Sequence, residues 1–125
     1  MKLEPVLRRH AFPLVLGLIM LILGLDGFAE ALRYDRTAVL QGHWWLLLSA
    51  NLVHLGWGHL LLNLMGLGIV WLFFGPLFSN AAWSALLLVS SLASALGLLA
   101  FNPSLQGYVG LSGALHGLFL AGVLR

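Results

Sequence analysis

Hydrophobic positions in this chain gather in four long blocks, and the polar positions fall between the blocks or stand singly inside them. Ala11 to Leu25 is the first, preceded by Arg8, Arg9 and His10 and followed by Asp26. Continued through Gly27-Phe28-Ala29, it is long enough to cross a hydrocarbon core of roughly 30 Å at about 1.5 Å per helical residue. Leu60 to Phe78 predicts a second span, interrupted by Asn63 and ended by Gly75-Pro76, with a tight turn at Ser79-Asn80. Ala81 to Phe101 predicts a third. It carries Ser84, Ser90, Ser91, Ser94 and Gly97, small residues that let helices approach closely. Asn102-Pro103-Ser104 breaks it, and Tyr108 to Leu124 begins a fourth.

The long connection from Glu30 to Val53 is not plain linker. It holds Glu30, Arg33, Asp35, Arg36, Gln41 and His43, but also Trp44-Trp45-Leu46-Leu47-Leu48. Tryptophan favours the membrane-water boundary, so residues 30–53 are predicted to form an outer loop with a short interfacial helix. A removable signal is the competing reading of the first block, with Ala29-Glu30-Ala31 as a small-x-small site. A multi-spanning protein needs no such signal, and an uncleaved first helix is the reading adopted.

Composition agrees with this pattern. Of 125 residues, 61% are hydrophobic and 8% charged, against about a quarter charged in soluble domains. Lys2, Arg8 and Arg9, three of the six basic residues, lie in the first nine positions. That suits a cytoplasmic tail over residues 1–10, and the absence of a basic stripe elsewhere argues against a nucleic-acid partner. The spans then alternate so that His54, His59 and Ser112 come near the outer face. The whole chain, 1–125, reads as one all-α membrane domain, a polytopic helical bundle. There is no cysteine, and therefore no disulfide or thiolate site. No phosphate-binding loop or other cofactor motif is present.

The chemistry-bearing positions cluster. His59 and Asn63 are four apart and share one helix face. Polar side chains at such depth are costly unless they face protein or water. Both can donate hydrogen bonds, and two donors aimed at a serine on a neighbouring helix are what an oxyanion site requires. Ser112 stands between Gly110 and Gly113 at the mouth of the last block, where the free N–H groups and dipole of a helix start also favour a negative oxygen. Plainer readings stand beside this one. Histidine and asparagine serve as interhelical hydrogen-bond partners, and Gly113, Gly117 and Ala121 form a small-residue packing face. A small helical pore is a third class, but it leaves the joint spacing of His59, Asn63 and Ser112 unexplained. His54 and His59, five apart, turn away from one another on a helix with no acidic residue nearby, so no metal site is predicted. His10 and His43 are expected to face water or the interface.

Taken together, Trp45, then His54, His59 and Asn63, then Gly110-Leu111-Ser112-Gly113 resemble the rhomboid family of intramembrane serine proteases. The form Gly-Leu-Ser-Gly-Ala-Leu-His-Gly is most similar to the family's rhombosortase branch, which processes proteins bearing glycine-rich C-terminal membrane tails in Gram-negative bacteria. The resemblance implies a six-helix fold of which four predicted transmembrane helices are present. It implies Ser112 as nucleophile, and His59, Asn63 and the Ser112 N–H as the oxyanion site. His54 would shape the water-accessible top of the second helix. His116 lies where many members place a tyrosine against the catalytic histidine. The implied partners are a transmembrane protein substrate and the lipid bilayer. The implied location is the bacterial inner membrane, with the active site toward the periplasm. Two departures are visible: Leu46 follows Trp45 where arginine is common, and the family's general base belongs to a sixth span. Without that base the competing expectation is a catalytically inactive, rhomboid-like module or truncated remnant that binds transmembrane segments.

Overall fold

The computed structural model describes residues 3–25 and 27–125. Lys2 and Asp26, used above as flanks of the first block, lie outside the described residues. Helices carry the fold. α1 (Leu3–Arg9) and α2 (Ala11–Leu23) meet at a 74° bend, and α3 (Phe28–Leu32) follows the turn at Gly27. After the two-residue strand β1 (Tyr34–Asp35) come the short helices α4 (Arg36–Leu40) and α5 (Leu46–Ser49). Then come the long α6 (Gly56–Phe74), a 3-10 turn (Gly75–Leu77), α7 (Asn80–Phe101), β2 (Gly107–Tyr108) and α8 (Ser112–Leu124).

Of the four expected spans, α6 and α7 are long and apolar enough to cross a membrane by themselves. With 19 and 22 residues, they extend about 28 and 33 Å. The first block reaches that class only if the bent α1–α2 pair counts as one span. It stops early because the chain turns at Gly24 and takes a left-handed conformation at Gly27 (φ +90°), where a side chain is disfavoured. α8 has 13 residues and starts at Ser112 rather than Tyr108, because Gly107 and Tyr108 are used in β-pairing. The 30–53 segment holds the end of α3, strand β1 and the short helices α4 and α5, where one short helix was expected.

Packing follows the sequence periodicity. Phe12, Leu16 and Met20 form the inner stripe of α2. They meet Leu60, Leu67 and Val70 of α6, Trp83 of α7, and Leu111, Ala114 and Leu118 at α8 in one core. The opposite faces are uncovered: Leu62, Leu72, Phe73, Val89 and Leu124 are each more than half exposed. In water such faces would carry a heavy cost, whereas hydrocarbon receives them at none. α8 packs on α7 through small residues. A Cβ on Gly113 or Gly117 would collide with the Ser94 or Ser90 hydroxyl, so these glycines set the interaxial distance.

A second, smaller core ties the outer segment to the bundle, with Tyr34, Val39, Leu46, Leu47 and Ala50 around Ala95. β1 pairs antiparallel with β2, bringing Tyr34 opposite Tyr108 with stacked rings 4.9 Å apart. The Arg36 N–H donates to the Gln106 carbonyl (2.9 Å) and its guanidinium to the Leu99 carbonyl (3.0 Å). The segment is thereby clasped to the loop that leads into Ser112.

Candidate active site

α6 begins at Gly56, whose φ of +80° turns the chain out of the preceding loop. His59 therefore sits in the first helical turn. The Leu55 N–H donates to its Nδ1 (3.3 Å). A neutral imidazole accepting at Nδ1 carries its proton on Nε2, so His59 presents an Nε2–H donor. One turn on, Asn63 falls on the buried stripe Leu60, Asn63, Leu67, Val70 and is 4% exposed. Its Nδ2 donates one proton to the His59 carbonyl (2.9 Å) and keeps a second. Its Oδ1 is buried without a partner. Its place on the core stripe shields Asn63 from the surroundings.

The serine arrives from the other side. Gly110 has φ +112°, and its N–H donates to the Ala50 carbonyl (2.8 Å). A Cβ at Gly110 would stand 2.7 Å from His59 Cε1 and Nε2 and 3.9 Å from Asn63 Nδ2. Only a bare backbone fits there, so the chain just before Ser112 lies against both donors. Ser112 opens α8 and is exposed in a groove of about 570 Å³. His59, Asn63, Ser112 and His116 are its polar lining, and Leu62, Ile69 and Phe119 contribute to its apolar walls. The first N–H groups of α8 have no helical acceptor; the ladder starts with Leu115 N–H to the Leu111 carbonyl (2.9 Å).

The structure thus brings together Ser112, His59, Asn63 and Gly110, and it sets Gly113 apart, against Ser94 of α7. His116 lines the groove, but its Nδ1 donates to the Ser112 carbonyl (2.6 Å). This tie to its own helix leaves Nε2 as a lone-pair acceptor. His54 is buried, 6% exposed, with neither ring nitrogen hydrogen-bonded. It lies just before α6, so the helical spacing argument does not hold for it: its ring meets His59 edge-on at 5.0 Å. Burial, and next the nearby His59, push the His54 pKa down to about 4. It is therefore neutral near pH 7. His43 is exposed, as expected, whereas His10 is half-buried. His10 accepts a hydrogen bond from Trp71 (2.8 Å), and His43 packs edge-on against Trp45 (4.9 Å).

Several contributors escaped the sequence reading. Ala50 and Leu55 act through backbone groups, which leave no trace in residue type. Tyr34 and Tyr108 left a usable signal, since they are the chain's two tyrosines and both stand in polar connections. Burial, and next Tyr34 beside it, push the Tyr108 pKa up to about 12.

The groove gathers two side-chain donors, a helix start and one serine hydroxyl, a set of groups able to hold a negative oxygen. A family model of the rhomboid domain matches residues 41–125. The chain belongs to the rhomboid family. Its members are intramembrane serine proteases. Neither the curated proteins nor the solved structures give a match. In this rhomboid chain the match covers α5 through α8, and with them every residue of the groove.

Proposed function

We propose that this chain carries the nucleophile and oxyanion site of an intramembrane endopeptidase acting on transmembrane substrates. The observation that supports the reading is the close approach of Gly110, two residues before Ser112, to His59 and Asn63, which line the same groove as Ser112. In the proposed reaction the Ser112 Oγ attacks the peptide carbonyl carbon while its proton passes to a histidine. The carbonyl oxygen becomes an oxyanion held by His59 Nε2–H, the second Asn63 Nδ2 proton and the Ser112 N–H. The protonated histidine then gives its proton to the leaving amine, and water releases the acyl group by the same steps. We assign the base to a histidine on a further helix seated on the open side of the groove, because the side chains of Ser112 and His116, four apart on one helix, meet poorly for in-line proton transfer. His116 then borders the base.

Resemblance in Gly110 to Gly117 extends the proposal to the rhombosortase branch and to glycine-rich C-terminal tails as substrates. The basic N-terminal residues favour a cytoplasmic N-terminus, a site toward the periplasmic side of the inner membrane, and residues 30–53 on the outer surface. The test is cleavage of a co-expressed membrane-tail reporter by the gene product as the cell makes it. Ser112→Ala is expected to abolish cleavage with expression intact. Unchanged cleavage would sink the assignment, and no cleavage by the wild type across such reporters would favour a module that binds transmembrane segments.

A further inference from the structure

At the opposite end of α6 from Ser112, the α1–α2 elbow has features the proteolytic reading does not use. α1 buries no residue among its seven. Leu3, Val6 and Leu7 are 62, 45 and 56% exposed, at the spacing of one helical face. A short helix bent 74° from the next, with an uncovered apolar stripe and two arginines at its end, has the character of an interfacial helix.

Two adjoining cavities, of about 420 and 210 Å³, open at this elbow and share Arg9, Gly75 and Pro76 as walls. Ser79 and Phe78 line the larger, His10 and Trp71 the smaller, and among the described residues no carboxylate lines either. The shape is held by Asn80, which accepts the Phe12 N–H (3.1 Å) and donates to the Arg8 carbonyl (2.7 Å). The charges are unequal in availability. Arg8 is paired with Glu4 at 2.9 Å, whereas Arg9 pairs with no carboxylate among the described residues. Arg125 adds a guanidinium 5.6 Å above the Phe78 ring, beside the larger cavity. His10 accepts from Trp71 at Nδ1, so its neutral ring carries a donor at Nε2.

We propose that the elbow binds the phosphodiester headgroup of an anionic phospholipid, with Arg9 as its principal contact and His10, Ser79 and Arg125 around it. Unpaired guanidinium, N–H and hydroxyl donors without a competing carboxylate suit one phosphate anion. The exposed stripe of α1 and the apolar walls beside it suit the acyl chains of a lipid, which a free phosphate lacks. This inference rests on the chain being a membrane protein and is independent of proteolysis.

The test reconstitutes the chain in phosphatidylcholine vesicles and compares the association of spin-labelled phosphatidylglycerol with that of spin-labelled phosphatidylcholine. The wild type is expected to prefer phosphatidylglycerol. Arg9→Gln is expected to lower that preference roughly fivefold, the ratio that corresponds to about 1 kcal/mol per basic residue at a membrane surface. Arg9→Lys should keep most of it. Arg8→Gln removes the same charge from a residue lining neither cavity and should change it clearly less than Arg9→Gln does. Equal losses in Arg8→Gln and Arg9→Gln would mean diffuse attraction and overturn the proposal, as would displacement of the lipid by millimolar inorganic phosphate. A second readout needs no charge variant. Brominated phosphatidylglycerol should quench the Trp71 component, taken as the difference between wild type and Trp71→Phe, more than brominated phosphatidylcholine does. Equal quenching overturns the site.

Discussion

Replacing Gly110 by alanine tests the junction between the serine loop and α6 more sharply than removing a side chain would. At φ +112° a non-glycine residue is strained, a cost of order 1–3 kcal/mol. The new Cβ would also stand 2.7 Å from His59, where ordinary contact begins near 3.4 Å, so ring or loop must yield by about 0.7 Å. Displacements of that order at a catalytic group cost about a hundredfold in rate. Gly42 supplies the control. Its φ is +106° and nothing lies within 4 Å of its Cβ position, so Gly42→Ala carries the strain without the collision. Gly42→Ala should lose about 1–3 kcal/mol of stability in detergent and Gly110→Ala at least as much. Gly110→Ala alone should lose about two orders of magnitude in reporter cleavage. Equal activity in the two variants would refute the argument that the Gly110–His59 contact positions the site.

Other consequences are equally specific. Asn63→Ala should lower kcat about 10²–10³-fold, as loss of one oxyanion donor does elsewhere. Because Asn63 Oδ1 is buried without a partner, stability should stay within about 1 kcal/mol, since removing an unsatisfied group offsets the lost contact. A parallel collapse of stability and activity would mark Asn63 as structural. His54, with its pKa lowered to about 4, links stability to pH. The unfolded chain binds the proton near pH 6.5 and the folded one only near 4, so stability is fully present above about 6.5 and falls as pH drops toward 4. The loss approaches about 3 kcal/mol by pH 4, on a limiting slope of about 1.4 kcal/mol per pH unit. His54→Phe should flatten that slope in detergent unfolding between pH 4 and 6.5, and an unchanged slope would contradict the assignment. Asn80→Ala, which removes both hydrogen bonds at the elbow, should lower stability by about 1–3 kcal/mol without changing kcat.

The periodic parts of this architecture were legible in the sequence, and the parts made by backbone were not. α7 matches its apolar block to within a residue, because Ser79 caps its start by accepting the Ala82 N–H (3.1 Å) and Asn102-Pro103 ends it. The start of α8 was misplaced by four residues, since nothing in the identities of Gly107 and Tyr108 announces pairing with Tyr34 and Asp35. His59 and Asn63 were readable as a pair because a fixed helical period relates them. His54 was read wrongly against His59 because the helix begins after it. Gly110 and Gly113 look alike in sequence, yet the first lies on the histidine and the second on a serine of α7. That difference is set by three-dimensional approach alone. The α1–α2 bend had one local hint: His10 interrupts the apolar pattern where the helix breaks.

The central claim is that Ser112 is a nucleophile served by donors from His59 and Asn63. The most direct measurement is covalent labelling of the cell-made gene product in membranes by a fluorophosphonate, with the modified residue located by mass spectrometry. The account predicts a phosphonyl adduct on Ser112, absent in Ser112→Ala and formed much more slowly in His59→Ala. Labelling that leaves Ser112 unmodified in protein that still cleaves its reporter would contradict it.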